Sequence, residues 1–94
     1  MIIAVDFDGT LQLPDKSPNT LLIQTLTRSQ RRGDIIILWS CREGKSLAEA
    51  VDFLRKNGFV PNYVNQNAPQ AIRMLGGNSR KVYADIYIDD KNAK

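Results

Sequence analysis

The sequence has no histidine and a single cysteine, Cys41. The first absence excludes Ser-His-Asp hydrolysis, phosphohistidine chemistry, imidazole general bases and histidine-held zinc or iron. The second excludes disulfides and paired-cysteine metal knuckles, and it fits a reducing cytoplasm. No apolar run approaches the roughly 18–20 residues that span a bilayer, so no membrane partner is expected. The N-terminal MIIAVDFDG does not read as a signal peptide, because acids interrupt the apolar stretch and no basic segment precedes it. Repeats, low-complexity tracts and linkers are also missing. With 94 residues and 43% apolar content, the chain reads as one globular domain over residues 1–94. Its chemistry must come from carboxylates, lysine, arginine, hydroxyls, backbone amides and hard metal ions.

The charge is uneven. Thirteen basic and ten acidic residues give a net +3, and four of the acids sit in two tight pairs, Asp6/Asp8 and Asp89/Asp90. The other six acids face thirteen bases. A basic chain with a concentrated acidic site suits a metal ion and a phosphorylated ligand.

Strand and helix signals alternate. Ile2 to Val5 is a continuous apolar run, as expected of a strand buried on both faces. Gly9 to Asn19 reads as a loop. A helix is expected from about Thr20 to Arg32, with Leu22, Leu26 and Ser29 on one face, Leu21 and Ile23 beside it, and Gly33 as the stop. Ile35 to Trp39 is a second buried strand. Ser46-Leu47-Ala48-Glu49 has capping-box spacing, which starts a second helix at Ser46 and carries it to Asn57-Gly58. Val60 to Val64 is a short strand whose Pro61 suits a sheet edge. Pro69 to Leu75 reads as a short helix, and Ala84 to Ile88 as the last strand. This order implies an α/β sheet with right-handed parallel crossovers, whose ligands bind beyond the carboxyl ends of the strands.

The polar groups fall at those ends. Asp6 closes the first strand and Asp8 follows. Ser40 closes the second, and Asp89 and Asp90 close the last. Any single one has an ordinary use as a turn or helix cap. Carboxylates gathered at one rim repel unless a cation lies between them. With oxygen ligands alone, that cation is Mg²⁺.

Asp6-Phe7-Asp8-Gly9-Thr10-Leu11 resembles motif I of the haloacid dehalogenase-like phosphohydrolase superfamily. Ile36-Ile37-Leu38-Trp39-Ser40 resembles its motif II, and Ile86-Tyr87-Ile88-Asp89-Asp90 its motif IV. The resemblance spans residues 2 to 90. It implies a three-layer α/β/α sandwich around a mostly parallel sheet of about four strands, and a Mg²⁺-dependent phosphomonoesterase. Asp6 would be the nucleophile that forms an aspartyl-phosphate. Asp8 would be the general acid, then the general base. Asp6, the backbone carbonyl of Asp8, and Asp89 or Asp90 would hold the metal. Ser40, Cys41 and Arg42 would form the phosphate-binding segment, with Arg42 reaching either the phosphate or a nearby carboxylate. Thr10 would brace the loop. Lys81 is the first choice for the motif III cation, with Lys91 and Lys45 as rivals.

Two look-alikes fail. Gly44-Lys45-Ser46 would end a P-loop only with glycine at position 39, where Trp39 stands. Cys41 would be a phosphatase nucleophile only with arginine at position 47, where Leu47 stands. Family members with small substrates usually carry a cap domain. Here only about eleven loop residues, Gly9 to Asn19, lead to the first helix, and a capless core is expected. Such a site admits bulky phosphorylated substrates, macromolecules included, unless a second copy closes it. Four residues follow Asp90, which makes the last strand an expected sheet edge and self-association an expectation. The alternatives are a receiver-like module that keeps its phosphoryl group, and a non-catalytic binding protein associated with nucleic acid.

Overall fold

The four apolar residues Ile2–Val5 form strand β1, and all four are buried. Strand β2, Ile35–Leu38, is equally apolar. Runs without polar alternation suit strands covered on both faces. The computed structural model describes residues 1–69, 72–73 and 82–90. In it β1 and β2 pair in parallel, from Ile2 opposite Ile35 to Val5 opposite Leu38. Tyr63–Val64 forms β3 on the far side of β2, and Ile86–Ile88 forms β4 on the far side of β1. The order β3-β2-β1-β4 puts the last two at the edges, and every pairing is parallel. The chain moves outward one way from β1 to β3, then returns to the other side of β1. The topological switch point therefore lies at the carboxyl ends of β1 and β4, where such sheets bind ligands.

Helix α1, Thr20–Arg31, starts on Asn19, whose side chain accepts from the Leu22 amide and donates to the Thr10 carbonyl. That second bond fastens the helix to the loop behind β1. Gly33 ends it at φ +97°, a left-handed value that glycine adopts at little cost. Ile23, Leu26 and Ser29 form the buried face. Leu21 is 77% exposed, because two helical steps turn it away from Ile23.

Helix α2, Gly44–Lys56, begins two residues before Ser46, and the expected capping box does not form. Glu43 is the N-cap, with no side-chain hydrogen bond. Gly44, at φ +53°, turns the chain into the helix early. The Ser46 carbonyl instead accepts from Arg42.

β3 and β4 are shorter than the expected strands Val60 to Val64 and Ala84 to Ile88, and both are preceded by a side chain acting as backbone. The Asn62 amide donates to the Ile36 carbonyl, while Asn62 Oδ1 accepts from the Ile36 amide, both at 2.8 Å. Asp85 brackets Ile2 the same way, at 2.8 and 2.7 Å. The expected helix over Pro69 to Leu75 falls largely outside the described residues.

Both helices cover one face of the sheet. Ile23 and Leu26 of α1 and Ala50 and Leu54 of α2 pack with Phe59 on Ile3, Val5, Ile36 and Leu38. Phe7 and Leu11 close the same cluster. The opposite face holds Ile2, Ala4 and Ile37 beneath Ala68 and Ala84, with Trp39 and Val82 partly buried beside them. The architecture is α/β, with a four-stranded all-parallel sheet and two helices among the described residues. None of those helices is long and apolar enough to cross a membrane.

Candidate functional site

The ladder outlasts the strands. The Asp6 amide donates to the Ile88 carbonyl and the Trp39 amide to the Val5 carbonyl, each at 2.9 Å. Side chains on a strand alternate between faces. Asp6 thus follows Ala4 on one face, Trp39 follows Ile37, and Asp89 follows Tyr87. Register sets Ala4 beside both Ile37 and Tyr87. The outcome is a cleft of about 400 Å³ on the face away from the helices, lined by Ala4, Asp6, Trp39, Tyr87, Asp89 and Asp90, among others.

Asp6 is partly buried at the centre of this rim. Its Oδ1 accepts from the Phe7 amide at 2.9 Å. Burial pushes its carboxyl above the ordinary range, and the charges of Asp8, Asp90 and Asp89 push the same way, against the pull of the Phe7 amide. Gly9 brings the loop close to β4. It sits at φ +77°, and a Cβ there would lie 3.4 Å from the Asp90 Cβ. The Phe7 carbonyl accepts from the amides of both Thr10 and Gln12, which coils the chain away from the ladder directly after Asp6. Thr10 is buried in this coil, and its hydroxyl has no partner among the described residues.

Asp8 has a different environment. Its carboxylate is gripped by Arg42 through two bonds, Nε to Oδ2 at 3.0 Å and Nη2 to Oδ1 at 2.7 Å. Arg42 also donates to the Ser46 carbonyl at 3.2 Å and lies over the Phe7 ring, 4.8 Å from its centroid. Its amide donates to Ser40 Oγ, and the Ser40 amide donates to Asn65 Oδ1. The bonds to Arg42 hold the Asp8 carboxyl below its ordinary value. Arg42 thus meets a carboxylate, one of its two expected partners.

Cys41 is exposed at the cleft margin. Lys45 is exposed on the first turn of α2. Lys81 and Lys91 lie outside the described residues. Among the described residues, no three Asp, Glu, Cys or His groups already stand in metal-ligating geometry. The donor chemistry still fits a hard cation. Asp6 is surrounded by three further carboxylates that raise its pKa, and positive charge there would relieve all of them.

Asn65 has a place the residue reading did not assign. At φ +52° it bends the chain away from β3 while its side chain holds Ser40. Asparagine tolerates that backbone region, so an asparagine directly after a strand was the available signal.

No family model matches the chain, and no curated protein does. A solved structure does match: a conserved protein from Bacteroides thetaiotaomicron shares 38% identity. The alignment covers 98% of this chain and 77% of that one, with a TM-score of 0.81. The chain belongs to that protein's family. Membership in the family of the Bacteroides protein covers nearly the whole chain, including both edges of the cleft. It carries no activity with it, so the chemistry has to be argued from the rim itself.

Proposed function

We propose that this chain is a Mg²⁺-dependent phosphomonoesterase of the haloacid dehalogenase-like type, a capless three-layer core acting through an aspartyl-phosphate on Asp6. The observation that carries the reading is Asp6 itself: a partly buried carboxylate at the switch point, with three more carboxylates close enough to raise its pKa. An Asp6 oxygen attacks phosphorus, and the ester P–O bond breaks. Asp8 protonates the leaving oxygen, then takes a proton from the water that cleaves the acyl phosphate. For the first step Asp8 must leave Arg42, and a substrate phosphate offers the guanidinium an equivalent two-pronged acceptor. Ser40 and Cys41 would complete the phosphate-binding segment. Asp6, the Asp8 carbonyl, and Asp89 or Asp90 would hold Mg²⁺, which when bound offsets repulsion between nucleophile and phosphate. Lys81 supplies the remaining cation, with Lys91 and Lys45 as rivals. A cytoplasmic location and pairing of two copies through the edge strand β4 belong to the same proposal.

The test is release of nitrophenol from p-nitrophenyl phosphate. Turnover is expected in the wild type with Mg²⁺, and its loss on chelation and in Asp6→Asn. A folded wild type with neither turnover nor Mg²⁺ binding overturns the reading. The Arg42–Asp8 fork favours a second reading, a module that binds phosphorylated ligands without hydrolysis, because in this state the general acid is engaged. That reading predicts saturable phosphate binding and no product.

A further inference from the structure

We infer, resting on the phosphohydrolase reading of the rim, that Lys16 binds a second anionic group on the leaving-group side of the site. The phosphomonoesters this chain takes then carry a carboxylate or a further phosphate on the alcohol they release. The loop after Asp8 carries the lysine. Gln12 bridges in parallel to Asp8 and antiparallel to Pro18. The Gly9 amide donates to the Gln12 carbonyl at 2.8 Å. The loop is thus a small hairpin built onto the backbone of Asp8. At its tip the Lys16 amide donates to the Leu13 carbonyl and the Leu13 amide to the Ser17 carbonyl, both at 2.8 Å. Asp15 Oδ1 accepts from the amide and the hydroxyl of Ser17. Pro14, Asp15 and Lys16 therefore form a three-residue hairpin loop. Pro14 suits the first corner of such a turn, and the third residue takes a left-handed backbone, where glycine is usual.

Lys16 stands at that third place, at φ +74°. A side chain is strained there, and a glycine would make the same turn without strain. Strain that persists at the edge of a reactive site points to a use for the side chain. The Lys16 side chain is exposed, and among the described residues its ammonium has no hydrogen bond or ion pair. Arg42 and, behind it, Lys16 hold the Asp8 carboxyl below its ordinary value. The ammonium is therefore within electrostatic reach of that carboxylate without being in contact with it. Two cations serve the region of Asp8, and they differ. Arg42 is engaged, gripping Asp8 with two prongs over the Phe7 ring. Lys16 is unengaged. In the proposed reaction Asp8 protonates the leaving oxygen, so the leaving group lies at Asp8, and what it carries beyond that oxygen comes within reach of the hairpin tip. The flexible four-carbon stem of lysine lets the ammonium follow it. A neutral alcohol leaves the ammonium in water, whereas an anionic oxygen gives it a partner. The scissile phosphate falls to Arg42 and Lys81 in the proposed mechanism, and Lys16 addresses only the part that leaves.

Glycerol 3-phosphate and 3-phosphoglycerate test the assignment, because the second has a carboxylate where the first has a hydroxymethyl group. Hydrolysis of each by the wild type, Lys16→Gly, Lys16→Asn and Lys16→Arg is followed by phosphate release with Mg²⁺, and binding of each by calorimetry. The wild type is expected to have a KM for 3-phosphoglycerate about threefold to fivefold below that for glycerol 3-phosphate, the scale of one exposed ion pair. Lys16→Gly and Lys16→Asn should lose that preference, with kcat and the KM for glycerol 3-phosphate little changed, and Lys16→Arg should keep it. In urea unfolding, Lys16→Gly should raise the folding equilibrium constant by about threefold to fivefold, since relief of the left-handed angle outweighs the freer unfolded chain. A variant that is more stable yet less selective separates use of the ammonium from a part in building the loop. Equal KM values in the wild type, a preference kept in Lys16→Gly, equal losses on both esters, or turnover of p-nitrophenyl phosphate alone overturns the assignment and leaves the phosphatase reading standing. A calorimetric preference for 3-phosphoglycerate that Lys16→Gly abolishes, with no hydrolysis of any of the three esters, keeps the role of Lys16 and overturns the phosphatase reading. Neither binding nor hydrolysis overturns both.

Discussion

Replacing Arg42 by methionine keeps the length of the stem and removes the guanidinium. The loss has two separable parts. The fork to Asp8 joins side chains that are 22% and 58% exposed, so water screens much of the attraction. Exposed pairs contribute about 0.2–1 kcal/mol, and two-pronged geometry places this one toward the upper end. The guanidinium over Phe7 adds about 0.5–1 kcal/mol. Arg42→Met is therefore expected to destabilise the fold by about 1–2 kcal/mol in urea unfolding at pH 7. In a double-mutant cycle with Asp8→Asn the ring contact cancels, and the coupling should be about 0.5–1 kcal/mol. Arg42→Lys should recover little of it, because an ammonium cannot form the fork. Raising salt to 1 M, where the Debye length is about 3 Å, should shrink the coupling and spare the ring contact. The pH sign is also set. Arg42 holds the Asp8 carboxyl below its ordinary 3.8, so the pair stabilises fully above that value and is lost as pH falls through the lower folded one. A coupling indistinguishable from zero at low salt, or one unchanged at pH 2, refutes the fork as described.

Two other perturbations test the supports of the site and of the N-terminus. Gly9→Ala should cost about 1–2 kcal/mol, the penalty of a left-handed backbone for a residue with a Cβ; Gly9→Asn, which tolerates that region, should cost less in thermal melts, and equal costs would instead assign the strain to the approach of Asp90. Asp34 accepts from the Ser29 hydroxyl at 2.6 Å and pairs with the N-terminal amine at 3.1 Å, and the Ser29 bond, then the amine, holds its carboxyl low. Its stabilising effect is present above the ordinary carboxylate value and is lost on acidification, so Asp34→Asn should be less stable at pH 7 and flatter on the acid side of the stability–pH curve. Parallel curves for the two proteins would refute that account.

Apolar continuity made β1 and β2 legible, because four consecutive apolar residues bounded by polar ones suit a strand covered on both faces. The acid rim was legible for the same reason: buried parallel strands end abruptly, and the first polar residues after them mark the ligand side of the sheet. Capping chemistry was less legible. Ser46 and Glu49 have the spacing of a box, but Gly44 turned the chain two residues earlier and Arg42 took the Ser46 carbonyl. The asparagines were opaque. Asn62, Asn65 and Asn67 each accept a backbone amide, from Ile36, Ser40 and Tyr83, and thereby serve as sheet extensions. Beyond the place of Asn65 directly after a strand, no local pattern announces such use, since the partner of each is distant in sequence. The cleft was illegible too, because it depends on register: only the pairing of Ala4 with Ile37 and Tyr87 shows that the small residue has large neighbours.

The two carboxylates of Asp6-Phe7-Asp8 stand two residues apart, and on a continuing strand both would share one face. The turn at the Phe7 carbonyl prevents that and gives them opposite fates. Asp6 stays on the ladder, partly buried among acids, and its pKa rises. Asp8 leaves the ladder, meets Arg42 and its pKa falls. Nucleophilic attack by Asp6 and proton donation by Asp8 need the reverse order. Each shift has one removable cause. Positive charge beside Asp6 lowers the first, and a phosphate that draws Arg42 away raises the second. Under the proposed mechanism the ligand-free chain is set against the reaction, and a bound cation and a bound phosphate would each correct one half of it. On this account Arg42→Met frees Asp8 without any phosphate. It should raise the pH at which Asp8 titrates while weakening phosphate binding, so KM rises even if the acid step is eased. An Arg42→Met variant with unchanged KM would show that the guanidinium never leaves Asp8 for the substrate.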